Sequence, residues 1–146
     1  MRDLPRELSA DELAGLFEGR TRFVERLAAV EDPLGRARVL VHELPYDEKT
    51  EILAAHPAIG QRTSLSPRSA AEQGADDDPE VIGELARFNA DYEARHGFRF
   101  VVFVDRRPKA EILEVLKARI GNDTGAELET ALGELVSIAE DRWRRA

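Results

Sequence analysis

The stretch "FRFVVFVD", Phe98 to Asp105, decides how the rest of the chain is read. Its apolar residues run on without the three-to-four-residue spacing of a helix, so an extended segment is expected. The backbone N–H and C=O groups of such a segment need partners, and in a sheet another strand supplies them. The sequence offers no second segment of this kind. The fold class that follows is all-α: a single-domain bundle of about eight helices, with residues 100–104 as one buried extended connection. Irregular backbone in an otherwise regular fold leaves amides free to bind something, which draws this segment toward a functional site.

Helical patterns flank the segment on both sides. Before it, "EVIGELARFNADYEAR" aligns Val81, Leu85, Phe88 and Tyr92, with Asp78-Pro79 as its start and Gly97 as its stop. After it come "PKAEILEVLKARI", with Ile112, Leu116 and Ile120 spaced by four, and "GAELETALGELVSIAEDRWRR", the last and longest helix. Nearer the N-terminus, Ser9 and Glu12 have capping-box spacing ahead of Leu13, Leu16 and Phe17. "TRFVERLAAV" follows with Phe23, Leu27 and Val30 on one stripe. Asp32 is the expected cap of "PLGRARVLVHEL", which Pro45 ends, and "YDEKTEILAA" runs up to His56. The polar stretch from Pro57 to Asp78 holds one short expected helix, "SPRSAAEQ".

A chain of 146 residues is read as one domain over 1–146. A net charge of −8 and a pI of about 5.0 argue against nucleic acid or an anionic membrane as the main partner. A small anionic substrate in a locally positive pocket remains open. The absence of cysteine excludes disulfides, thiolate nucleophiles and zinc–sulfur sites, and suits a cytoplasmic setting. "MRDLPRELSADEL" lacks the apolar core of a signal peptide, and no run approaches the roughly 18 apolar residues of a membrane span.

Among groups that carry chemistry, His56 in "AAHPAIG" stands out. Pro57 disfavours the α region for its predecessor, so His56 sits at the C-terminal edge of a helix. The helix dipole there favours a protonated imidazole, a usable general acid near neutrality. The plain alternative is an ordinary helix stop. Ser69, Glu72 and Gln73 fall at i, i+3 and i+4, so a hydroxyl, a carboxylate and an amide share one face. The same letters spell a capping box. His42 reads as a packed or edge residue and His96 as a helix C-terminal charge. With no H-x-x-x-H or H-E-x-x-H spacing, no metal site is expected. "EDRWRR" is either a solvated helix end or holds one arginine turned inward to grip a carboxylate.

Taken in order, "AHPAIG", "SAAEQG", "FNADYEARHGFRFVVFV", "KAEILEVLKARIGND" and "ELETALGELVSIAEDRW" resemble the 2-oxo-4-hydroxy-4-carboxy-5-ureidoimidazoline (OHCU) decarboxylase family, from about residue 8 to 145. The resemblance implies cofactor-independent decarboxylation of OHCU to (S)-allantoin and CO2 in urate degradation, by an all-α protein that is commonly a homodimer. It implies His56 as the catalytic proton donor, joined by Glu72, and Pro57 as a shaper of the pocket. It implies substrate binding by Ser69, Gln73, Arg142 and the main chain of Phe100, Val101, Val102, Phe103 and Val104. No metal or organic cofactor is implied. Where the family usually has proline, this chain has Arg99, and a tryptophan common in the second helix is replaced around Phe23. Two rival readings stand beside it: a related lyase acting on another small anionic heterocycle, and a non-catalytic helical binding domain.

Overall fold

The computed structural model describes residues 7–58 and 78–145. Among the described residues there are seven α-helices, one 3-10 turn and no strand. The short helix expected at "SPRSAAEQ" lies outside them.

Helix α1 (Ala10–Leu16) starts as its sequence dictates. The Ser9 hydroxyl accepts from the Glu12 N–H at 3.1 Å, and the Ser9 N–H donates to Glu12 Oε1 at 3.1 Å. Helix α2 (Arg22–Leu27) is capped by the Thr21 hydroxyl and buries Phe23, Val24 and Leu27. Phe23 meets Phe17 edge-on, with ring centroids 5.6 Å apart. Each such fully buried side chain contributes about 1.5–3 kcal/mol through area removed from water.

Helix α3 (Pro33–Leu40) departs from expectation at both ends. Asp32 precedes it in a left-handed conformation (φ 52°), and its carboxylate makes no capping hydrogen bond. At the other end the expected last turn tightens into the 3-10 turn Val41–Glu43, a common way to satisfy terminal carbonyls. Helix α4 (Tyr46–Ala54) follows Pro45, and its buried Glu48 accepts two bonds of 2.9 Å from Arg26 of α2.

Helices α5 (Pro79–His96), α6 (Lys109–Ile120) and α7 (Thr124–Arg145) complete the bundle. Gly97 ends α5 with φ 80°, a backbone that side chains resist. Helices α5 and α6 pack along each other, while α7 contacts α1, α3, α4, α5 and the 3-10 turn. Its apolar face, including Leu128, Leu132, Leu135, Val136 and Ala139, is therefore buried.

Residues 98–104 join α5 to α6 through this core as extended chain, with Phe98, Phe100, Val101, Val102 and Val104 buried. Arginines stand where a strand partner would. Arg119 of α6 donates to the Val101 carbonyl at 3.0 Å, and its guanidinium lies over the Phe100 ring, 4.7 Å from the centroid. Arg107 donates to the carbonyls of Phe103 at 2.6 Å and Val104 at 3.0 Å. Arg119 is itself held by Glu127 at 2.8 Å, which also accepts from the Tyr92 hydroxyl at 2.7 Å and from Asn122 at 3.1 Å. Burial opposes ionisation of Glu127, but Tyr92, Asn122 and Arg119 outweigh it and hold its carboxyl below the usual range.

His96, expected only as a helix C-terminal residue, is part of this packing. It is buried, and its ring nitrogens hydrogen-bond Thr124 Oγ1 at 2.8 Å and the Arg119 carbonyl at 3.3 Å. His42 lies at the surface, 2.7 Å from Glu129.

Candidate active site

His56 is the residue after the cap of α4, and its N–H turns back to the Leu53 carbonyl at 3.2 Å. Pro57 cannot continue the helix and has no N–H to offer. The turn swings the imidazole into the protein, where the residue is 5 % exposed. Nε2 is buried and, among the described residues, has no hydrogen-bond partner. An orphaned buried nitrogen of this kind costs stability and calls for a functional explanation.

Among the described residues, two arginines and one glutamate act on it electrostatically. Arg142, in the last turn of α7, is 4 % exposed. It reaches the C-terminal end of α1, donating to the carbonyls of Gly15 at 3.3 Å and Leu16 at 3.2 Å and to Glu18 Oε1 at 3.2 Å. Glu18 holds a left-handed backbone, φ 65°. Arg99 donates to the His56 carbonyl at 2.5 Å.

Burial first, then the Arg142 charge, push the His56 pKa down to about 4; Glu18 opposes this and Arg99 adds to it. The expectation of an imidazole protonated by the helix dipole is thereby corrected. A dipole at a helix end is worth at most a kcal/mol or two, and here it is outweighed by lost hydration and two nearby guanidinium groups. At neutral pH the resting His56 is uncharged, with one ring nitrogen able to accept a proton.

The extended segment is tied to this histidine through Arg99, which immediately precedes Phe100 and bonds the His56 carbonyl. Of the N–H groups from Phe100 to Val104, that of Phe103 donates to Glu134 at 3.4 Å. Those of Phe100, Val101, Val102 and Val104 have no partner among the described residues. The arginine bonds described above fall on carbonyls, so the segment is held mainly by its acceptors.

His56, Pro57, Arg142 and the segment 100–104 are thus described, whereas Ser69, Glu72 and Gln73 lie outside the described residues. Sequence reasoning missed Glu18 and the clamp made by Arg99. Neither has a local signature, since each acts on a residue far along the chain. Among the described residues no group of three His, Asp or Glu side chains could hold a metal ion.

The family model for OHCU decarboxylase matches residues 2–144. The chain is 30% identical over 128 residues to the 2-oxo-4-hydroxy-4-carboxy-5-ureidoimidazoline decarboxylase of Haloferax volcanii, covering 84% of this chain and 76% of that protein. It is 37% identical over 104 residues to a uric acid degradation bifunctional protein of Arabidopsis thaliana, covering 65% of this chain but only 32% of that longer protein. A crystal structure of OHCU decarboxylase in the presence of (S)-allantoin superposes with a TM-score of 0.76 at 25% identity, over 92% of this chain and 96% of the other. By sequence and by fold, the chain belongs to the OHCU decarboxylase family.

Proposed function

We propose that this chain removes the carboxylate of OHCU as CO2 and delivers (S)-allantoin, with no metal or organic cofactor, as a step in urate breakdown. Family membership and the relatives' activity support the reaction. The observation that carries the site assignment is the buried Nε2 of His56, without a partner among the described residues, linked through Arg99 to a segment with four backbone donors that likewise have none there.

The chemistry explains why these groups suffice. When the C–COO⁻ bond breaks, its electron pair moves into the adjacent C=N system and CO2 departs. The neighbouring hydroxyl then gives up its proton as its oxygen becomes a carbonyl. One proton arrives at the ring nitrogen and one at the ureido-bearing carbon, so one proton is taken from water overall. The protein must orient the ring, stabilise the charge pushed onto it and control which face is protonated.

In this reading a neutral His56 accepts the hydroxyl proton and, as imidazolium, hands it to the carbon on one face. Its low resting pKa suits both halves: the base is unprotonated at neutral pH, and the imidazolium it forms is a strong acid. Free amides of Phe100, Val101, Val102 or Val104 bind a ring carbonyl or the ureido group. Glu72 binds the substrate hydroxyl, with Ser69 and Gln73 fixing the ring. Pro57 shapes the wall, and Arg142 tethers an anionic or carbonyl oxygen. The reading extends to one domain over 1–146, a homodimer as in the family, and a cytoplasmic setting. No helix among the described residues is long and apolar enough to cross a membrane.

The test is to generate OHCU from urate immediately before use and follow its absorbance and circular dichroism. The reading predicts accelerated decay and a dichroism of (S) sign. Decay at the uncatalysed rate, giving racemic product, would refute it in favour of a different heterocycle or a binding role.

A further inference from the structure

We infer that Arg99 is a positioning residue that fixes His56 against the amide-bearing segment 100–104. The inference rests on the reading of His56 given above. Its basis is geometric. A helix leaves its last carbonyls unsatisfied, and Pro57 removes the N–H that would ordinarily turn back onto α4. Arg99 supplies the missing donors: its Nη1 bonds the His56 carbonyl at 2.5 Å and reaches the Ala54 carbonyl at 3.5 Å. The bond to His56 is short and charge-assisted, the stronger kind. Glu93, one turn before the end of α5, holds Nε of the same guanidinium at 3.2 Å.

One side chain therefore ties two backbones together. Residue 99 leads directly into the segment in which four of five N–H groups have no partner among the described residues, and the carbonyl it grips belongs to the histidine itself. Without the clamp, the C-terminal end of α4 and His56 can shift relative to α5 and the segment, and the imidazole shifts with them. The proline usual at this position in the family has no donor for this bond. The guanidinium also adds positive charge near the ring. Among the described residues, the charged groups around His56 are Arg142 from α7, Glu18 from the end of α1, and Arg99, which Glu93 from α5 partly compensates.

The variants Arg99→Met, Arg99→Gln and Arg99→Lys, each alone and combined with His56→Asn, test the inference on freshly made OHCU. Arg99→Met keeps the stem and loses the donors. It is expected to lower kcat roughly tenfold, as misplacement of a reacting group by a fraction of an ångström does, with KM changed less than about twofold. The enantiomeric purity of the allantoin should fall, and the acid limb of the pH profile should move up. Arg99→Lys keeps one charged donor and should recover most of the loss, with Arg99→Gln between. In the His56→Asn background all three should have almost no further effect, because Arg99 acts through the histidine.

A folded Arg99→Met enzyme with wild-type kcat, stereochemistry and pH profile overturns the inference, as does an unchanged loss in the His56→Asn background. If Arg99→Met does not fold, the ranking of wild type, Lys and Gln decides, and equal rates overturn it. Wild-type activity of His56→Asn itself would instead bring down the underlying reading of the histidine.

Discussion

Replacing Arg119 by methionine removes three contacts at once and tests how the extended segment is held. The guanidinium bonds Val101 O at 3.0 Å and Glu127 Oε1 at 2.8 Å and covers the Phe100 ring. Methionine fills much of the volume but leaves the Glu127 carboxylate, 1 % exposed, with only Tyr92 and Asn122. Breaking a buried pair by removing one partner costs about 3–5 kcal/mol. The bare Val101 carbonyl falls within that figure rather than adding fully to it. In a domain of this size the loss corresponds to a fall of roughly 10 °C in Tm. Urea unfolding followed by far-UV circular dichroism measures it, with the m-value confirming a comparable unfolded state. Arg119→Met combined with Glu127→Gln removes the stranded charge and should recover at least about 1 kcal/mol relative to the single variant. A single variant within about 0.5 kcal/mol of wild type, the range of an ordinary surface change, would refute the reasoning.

Four further outcomes follow from the same site. With the pKa of His56 lowered to about 4, kcat/KM should be flat near neutrality and fall only as pH drops toward 4; a limb near 6.5 would show a solvated histidine. Because unfolded histidine binds its proton near 6.5 and the folded one does not until about 4, stability should decline as pH falls between those values, and His56→Asn should flatten that slope in urea melts. Arg142→Ala should raise KM more than it lowers kcat and cost about 3 kcal/mol, since it removes a buried guanidinium that donates to Glu18 and to the Gly15 and Leu16 carbonyls. Dialysis against a chelator should leave turnover and helix content unchanged; activity restored only by added metal would contradict the mechanism.

What the sequence made legible was local. Ser9 and Glu12, Asp78-Pro79 and Gly97 each act within one turn of their own position, and each does what its spacing predicts. The extended segment was legible for the same reason, as a break in helical period. Asp32 was misjudged because a capping residue type does not fix its own backbone, and here it adopts the left-handed region. The charge state of His56 is set first by its burial and then by Arg142, neither of which is local in sequence, so a local helix-end argument gave the wrong direction. His96 was read as a helix C-terminal charge, and its burial was missed, because its partners, Thr124 and Arg119, lie on other helices. Arg119 was seen only as a position in a helical run, since nothing in "KARI" shows that its guanidinium turns onto Val101 and Phe100.

The central claim is that the buried imidazole of His56 moves the proton that makes (S)-allantoin. His56→Asn keeps a similar size and a hydrogen-bonding group but cannot act as an acid or base near neutral pH. Its turnover of freshly made OHCU, read by absorbance and by the dichroism of the product, is the most direct test. The account predicts a loss of about 10²-fold or more in kcat, with unchanged helix content and a product that drifts toward the racemate. Wild-type turnover with pure (S) product from this variant would contradict it.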